Sequence, residues 1–201
     1  MEKKKRMLNA PNTLSILRVL LVPGFMAAAI FMRNIEIWGQ LVPAALFALT
    51  AFTDMLDGKI ARKYNLVTDF GKFIDPLADK FMVFGALISV LYVSSLTKEA
   101  ELFTGIFVWV ALIVMFRELA ITSLRLVISG KSGKVVAASW WGKVKTMTQC
   151  ISIVVFMVNP IYAQYDFYIT SYVGCAAVLI TTIGSGLDYF RAYMPYINPN
   201  D

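Results

Sequence analysis

The 201-residue chain contains no histidine. That absence removes imidazole bases, His-ligated zinc and phosphohistidine intermediates, so acid–base work falls to Asp, Glu, Lys or Tyr. Cysteine is nearly absent too. Cys150 and Cys175 both lie inside apolar stretches and read as packing residues, not as a disulfide or a metal site. Charged residues make up only 16% of the chain, against roughly 25% in soluble domains. Hydrophobic residues reach 58% and gather in long blocks. No internal repeat, low-complexity tract or soluble segment interrupts them. Residues 1–201 therefore read as a single all-α domain embedded in a membrane.

A spanning helix needs about 20 mostly apolar residues. Six stretches meet that requirement, at roughly 13–32, 37–58, 73–95, 104–128, 144–163 and 167–190. The gaps between them are short and carry turn or charged residues, such as Arg33-Asn34, Thr97-Lys98-Glu99 and Asn159-Pro160. Ahead of the first stretch stand Lys3, Lys4, Lys5 and Arg6. Pro11, Asn12 and Arg18 follow where a signal peptide would stay apolar, and no small-residue cleavage site stands out. Residues 1–10 thus read as an amphipathic segment lying on the membrane surface.

The net charge of +6 does not point to nucleic acid, because the cations sit at the ends of apolar stretches. With six spans, all of the 19 Lys and Arg except Arg33 and Lys98 fall on one side. The positive-inside rule places that side, with both termini, in the cytoplasm of a multi-pass cell-membrane protein. Trp38, Trp109, Trp140 and Trp141 are of the type that anchors at the membrane interface.

Charge becomes informative where lipid makes it expensive. Asp54, Asp57, Gly58, Ala61 and Arg62 end the second stretch; Gly71, Asp75 and Asp79 begin the third. At about 100° per residue, Asp54, Asp57, Gly58 and Ala61 share one helix face, and Gly71, Asp75 and Asp79 share another. A short connection makes the two helices antiparallel neighbours, so four carboxylates can converge at the cytoplasmic interface. Such groups repel unless cations lie between them. Oxygen-only ligands select hard ions such as Mg²⁺ or Mn²⁺, and two bridged metals can clamp a phosphoryl group. Gly58 and Ala61 leave room for a ligand against the backbone, and Arg62 can pair with a phosphate. The bland alternative is that the aspartates merely pair with Lys59, Arg62, Lys72 and Lys80.

The pattern Asp54-x2-Asp57-Gly58-x2-Ala61-Arg62-x8-Gly71-x3-Asp75-x3-Asp79 resembles the signature of the CDP-alcohol phosphotransferases at every fixed position. The resemblance implies a six-helix fold and a homodimer. It implies that Asp54, Asp57 and Asp75 are metal ligands, and that Asp79 is a ligand or the base that takes the acceptor's proton. Gly58, Ala61 and Arg62, with Asn12 and Gly71, would then contact the CDP-lipid, and CMP would leave.

Three shorter segments, Pro11–Arg18, Phe116–Leu119 and Gly142–Thr146, resemble the phosphatidylglycerophosphate synthases within that family. Thr13 departs from the apolar residue common there, with little bearing on chemistry. That likeness implies CDP-diacylglycerol and glycerol 3-phosphate as substrates. A basic cluster agrees with it. Arg117 and Arg125 stand two turns apart on one side of the fourth stretch, Lys143 and Lys145 begin the fifth, and Lys131 and Lys134 lie between. Arg117, Arg125 and Lys143 are the expected ligands of the acceptor phosphate. Serine, inositol phosphate or phosphatidylglycerol would be acceptors for other members of the same family. A cation-coupled transporter would instead spread its carboxylates through the membrane depth and across a repeated architecture.

Overall fold

The structure is a computed structural model that describes residues 10–63, 69–132 and 140–194; the side chains of 10–11, 54–63, 69, 72 and 129–132 fall outside the description. The expected surface segment 1–10 and the termini therefore lie almost wholly outside the described residues.

Among the described residues seven α-helices follow one another: α1 (Ala10–Phe31), α2 (Trp38–Lys63), α3 (Asp69–Ser95), α4 (Glu101–Ser132), α5 (Trp140–Val158), the single turn α6 (Ala163–Asp166) and α7 (Ile169–Tyr193). Short 3-10 turns at Lys98–Ala100 and Asn159–Ile161 precede α4 and α6. No strand occurs among the described residues.

Among the described residues five helices are long and apolar enough to cross a membrane, over Asn12–Phe31, Phe73–Ser95, Lys98–Ile128, Trp140–Ile161 and Ile169–Tyr193. The sixth expected span falls on the 26-residue α2, whose described side chains form the apolar stretch Trp38–Thr53. The helix continues through Asp54 and Asp57 to Lys63, because backbone hydrogen bonding carries a helix on after its side chains turn polar. The chain is a polytopic, all-helical membrane protein.

The bundle is built from two groups of three helices. One joins α1, α2 and α3, and the other joins α4, α5 and α7; α2 against α5 and α3 against α4 connect them. Helices in lipid gain little from hydrophobic burial and associate mainly by close packing. Two glycines carry that approach. A Cβ on Gly85 would stand 2.7 Å from Val22 Cγ1, and one on Gly174 would stand 2.8 Å from Phe156 Cε1. The shared core includes Phe25, Phe47, Leu87, Phe103, Phe107 and Phe156. Cys175 is buried and Cys150 half-buried, and neither forms a disulfide among the described residues. All four tryptophans are exposed on the bundle's surface.

Candidate active site

The site forms where α3 begins. Asp75 and Asp79 stand one turn apart, so both face the same side of the helix. Asp75 is exposed and accepts a hydrogen bond from Ser15 Oγ at 2.5 Å. Ser15 belongs to a buried polar stripe on α1, with Asn12 and Arg18 at three-residue spacing. That stripe continues into apolar Val22, Phe25 and Ala29. One face of α1 thus changes from packing to polar work as it nears the aspartates.

Asp79 is half-buried and pairs with the Lys80 ammonium at 2.8 Å. Lys80 also reaches Glu118 on α4. Glu118 is the hub of the cluster: Lys80, Lys145 of α5 and Arg117 all converge on its carboxylate. The Glu118 and Lys145 side chains are each only 4% exposed. Buried charge survives when it is paired and hydrogen-bonded on several sides, and here three helices supply the partners.

The α7 helix orients the arginines. Arg117 donates to Ser185 Oγ at 3.1 Å, and Arg125 donates to the Tyr189 hydroxyl at 3.3 Å. Both guanidinium groups also stack near the Tyr189 ring, 5.4 and 5.7 Å from its centroid. Gly142 admits Tyr189 to α5, since a Cβ there would stand 3.1 Å from the phenol oxygen. Glycine in the Gly142–Thr146 segment therefore has a steric reason.

A cavity of about 360 Å³ opens at this point. Its charged end is lined by Asp79, Lys80, Arg117, Glu118, Arg125 and Lys145. Its other walls are mostly apolar, with Phe47, Ala51 and Phe52 on α2 and Cys150, Ile151 and Val154 on α5. Phe52 and Ile151 are 56% and 60% exposed, so the apolar part opens sideways between these helices. The charged lining holds four cations against two carboxylates, which suits a multiply charged anion.

The structure brings Arg117, Arg125 and Asp79 to this cavity. Lys143 is exposed and is not among the lining residues; Lys145, two positions on, occupies the wall. Asn12 and Gly71 are buried near the aspartates' end of α1 and α3. Asp54, Asp57, Gly58, Ala61 and Arg62 fall on the last turns of α2, at the same end of the bundle as the start of α3, and their side chains lie outside the described ones. Lys131 is helical with its side chain undescribed, and Lys134 lies outside the described residues. Among the described residues no three metal-ligating side chains gather. Asp75 and Asp79 are half of the expected set of four, and oxygen donors one turn apart fit a hard divalent ion.

Sequence reading underrated Lys145, Ser15, Ser185 and Tyr189. The last two lie four residues apart on α7, within its buried stripe Thr182, Ser185, Tyr189 and Tyr193. Polar residues in register with an otherwise buried face were the available signal.

Comparison with known proteins agrees with this geometry. Residues 8–183 match the family model for CDP-alcohol phosphatidyltransferase. The chain is 35% identical over 193 residues to a Bacillus subtilis protein named CDP-diacylglycerol–glycerol-3-phosphate 3-phosphatidyltransferase, covering 92% of this chain and 94% of that one. A Mycobacterium tuberculosis protein named probable phosphatidylglycerophosphate synthase is 33% identical over 186 residues, covering 92% and 82%. A Pseudomonas fluorescens protein with the same name as the Bacillus one is 31% identical over 195 residues, covering 94% and 92%. The chain belongs to the CDP-alcohol phosphatidyltransferase family.

Proposed function

We propose that the protein transfers the phosphatidyl group of CDP-diacylglycerol to sn-glycerol 3-phosphate, giving phosphatidylglycerophosphate and CMP. One observation carries this reading above the rest. A single cavity joins a cationic end beside Asp79 to an apolar slot that opens towards lipid. A small phosphorylated alcohol fits the first part, and a diacyl lipid fits the second. The names of the relatives point to the same pair of substrates.

In this mechanism Arg117, Arg125 and Lys145 hold the acceptor's phosphate by charge-assisted hydrogen bonds. Glu118 keeps Lys145 and Arg117 in place. Lys80, shared between Asp79 and Glu118, fixes Asp79 on the cavity wall. Asp79 takes the proton of the C1 hydroxyl, whose oxygen bonds to the phosphorus bearing diacylglycerol. The bond from that phosphorus to CMP breaks. Asp54, Asp57, Asp75 and Asp79 would hold two divalent ions, Mg²⁺ or Mn²⁺, and Ser15 would orient Asp75 for this. The ions supply neutralisation of the pyrophosphate charge. Asn12, Gly58, Ala61, Arg62 and Gly71 would contact the CDP moiety. The residues' main contribution is positioning and charge stabilisation. The site faces the cytoplasm in this reading, an orientation that the distribution of Lys and Arg supports, and the enzyme works as a homodimer in the cell membrane.

The test is CMP release from CDP-diacylglycerol by the purified protein in detergent. Acceptors are glycerol 3-phosphate, serine, inositol phosphate and phosphatidylglycerol, each with Mg²⁺, with Mn²⁺ and with chelator. Metal-dependent release with glycerol 3-phosphate alone is expected. Release with another acceptor instead would keep the family and overturn the acceptor.

A further inference from the structure

Gln149 lies on α5 one turn beyond Lys145, on the same buried stripe. Its side chain is 2% exposed and forms part of the cavity wall. Neither Nε2 nor Oε1 has a hydrogen-bond partner among the described residues. A buried amide left unpaired on both atoms is costly, whereas one that a ligand pairs is a recognition group. The buried polar side chains near it are engaged elsewhere: Glu118 and Lys145 by each other, and the two terminal nitrogens of Arg117 by Glu118 and Ser185, which leaves only its Nε unpartnered among the described residues.

We propose that Gln149 recognises the secondary hydroxyl of the phosphorylated three-carbon acceptor and so sets specificity for it. The proposal rests on the glycerol 3-phosphate reading above and goes further, to a residue and a substrate atom. The chemistry of the amide selects the ligand group. Nε2 must donate and Oε1 must accept, so the partner must do both. A hydroxyl does. A phosphate dianion or an ester carbonyl of the lipid only accepts, and either would leave Oε1 unpaired.

Position agrees. One helical turn, about 5.4 Å, separates Gln149 from Lys145 along α5. A phosphate held at the charged end therefore leaves its short carbon chain beside the amide. Gln149 is also neutral, so it adds no charge to the cluster and discriminates by hydrogen bonding alone. A site built to bond a hydroxyl disfavours an analogue that lacks it, because its own buried groups are then stranded.

The experiment uses full-length protein in detergent and two acceptors, glycerol 3-phosphate and 3-hydroxypropyl phosphate, which lacks only the secondary hydroxyl. The readout is the ratio of kcat/KM for the two acceptors, measured by CMP release in one preparation. That ratio does not depend on how much of the preparation is folded. The unsubstituted protein should prefer glycerol 3-phosphate by roughly 10- to 100-fold, the effect of stranding one buried amide. In Gln149→Met and Gln149→Leu the preference should shrink to about threefold or less, with turnover of the hydroxypropyl compound kept within about threefold. A preference that persists in either active variant would overturn the proposal and leave the amide to water. So would loss of both acceptors alike in both variants, since that marks a structural role. If the unsubstituted protein uses neither acceptor, the functional reading falls first and the proposal falls with it.

Discussion

The two ends of the bundle are built on opposite principles. The end that carries Asp75 and Asp79 is charged, and its helices part around a cavity of about 360 Å³. The far end is closed by aromatic stacking. Phe103 lies 5.4 Å from Phe107 and 5.5 Å from Tyr168, and Phe107 lies 5.3 Å from Phe156. A cavity of about 30 Å³ lies within that packing, and more open surface grooves of about 740 and 370 Å³ lie around it. One polar contact at this end joins the turn after α1 to α3, from Arg33 to the Tyr92 hydroxyl at 3.3 Å; others are local. Asp166 accepts from the Thr170 amide and hydroxyl at 2.9 and 2.6 Å and from Asn159 at 3.1 Å. Even backbone strain is accepted there: Phe167 and Tyr168 both take left-handed φ values, 50° and 62°, which aromatic residues rarely adopt. The buried Tyr168 ring, stacked on Phe103, offsets that strain. Cohesion thus concentrates at one end and chemistry at the other.

If that division holds, substitutions at the two ends should separate activity from stability. The largest effect on activity is expected for Asp79→Asn, with a loss of CMP release of roughly 10²- to 10⁴-fold and an unchanged helical signal. Near-normal turnover would remove Asp79 as the base. Glu118→Ala strips the hub from buried Lys145 and from Lys80. Removing one partner of a buried ion pair costs about 3–5 kcal/mol, so this variant should lose both thermal stability in detergent and activity. It is the one place where the division should break.

Smaller and sharper is a paired test of the basic wall. Arg117→Ala should raise the apparent KM for glycerol 3-phosphate by roughly 10-fold or more. Lys143→Ala should change it by no more than about twofold, because Lys143 is exposed and away from the cavity. Equal effects would return the acceptor's phosphate to the outer surface. At the far end, Tyr168→Ala should lower the melting temperature while kcat per folded molecule stays within about twofold.

The smallest effect concerns pH. The hydrogen bonds from Thr170 hold the Asp166 carboxyl below its ordinary value of 3.8. A group with a lowered folded-state pKa contributes stability above its unfolded pKa and loses it as pH falls through the folded one. The melting-temperature gap between the unsubstituted protein and Asp166→Asn should therefore be present near neutrality and close as pH falls below 3.8. A gap that persists in acid would mean that the contacts are not charge-assisted.

Hydropathy alone revealed the long helices, because a bilayer imposes a length that composition must meet. It also marked α2, which runs past the apolar stretch Trp38–Thr53 into the turns that carry Asp54 and Asp57. The spacing of Asp75 and Asp79 was legible because the helical period decides which residues share a face. The choice between Lys143 and Lys145 was not. Two residues rotate a side chain by about 200°, so one of the pair faces inward while the other faces out, and only packing against α2 and α7 decides which. Ser185 and Tyr189 were harder still. Both are uncharged, and each meets its arginine across more than sixty residues of chain. The left-handed turn at Phe167 and Tyr168 carries no glycine to announce it.

The sideways opening between Phe52 and Ile151 has a kinetic meaning. A lipid that enters through it stays in the plane of the bilayer, while the small acceptor arrives from bulk water. One substrate is then drawn from a two-dimensional pool and the other from a three-dimensional one. Turnover would follow the mole fraction of the lipid in its micelle or membrane, and diluting that lipid with an inert amphiphile would slow the enzyme even at constant total concentration.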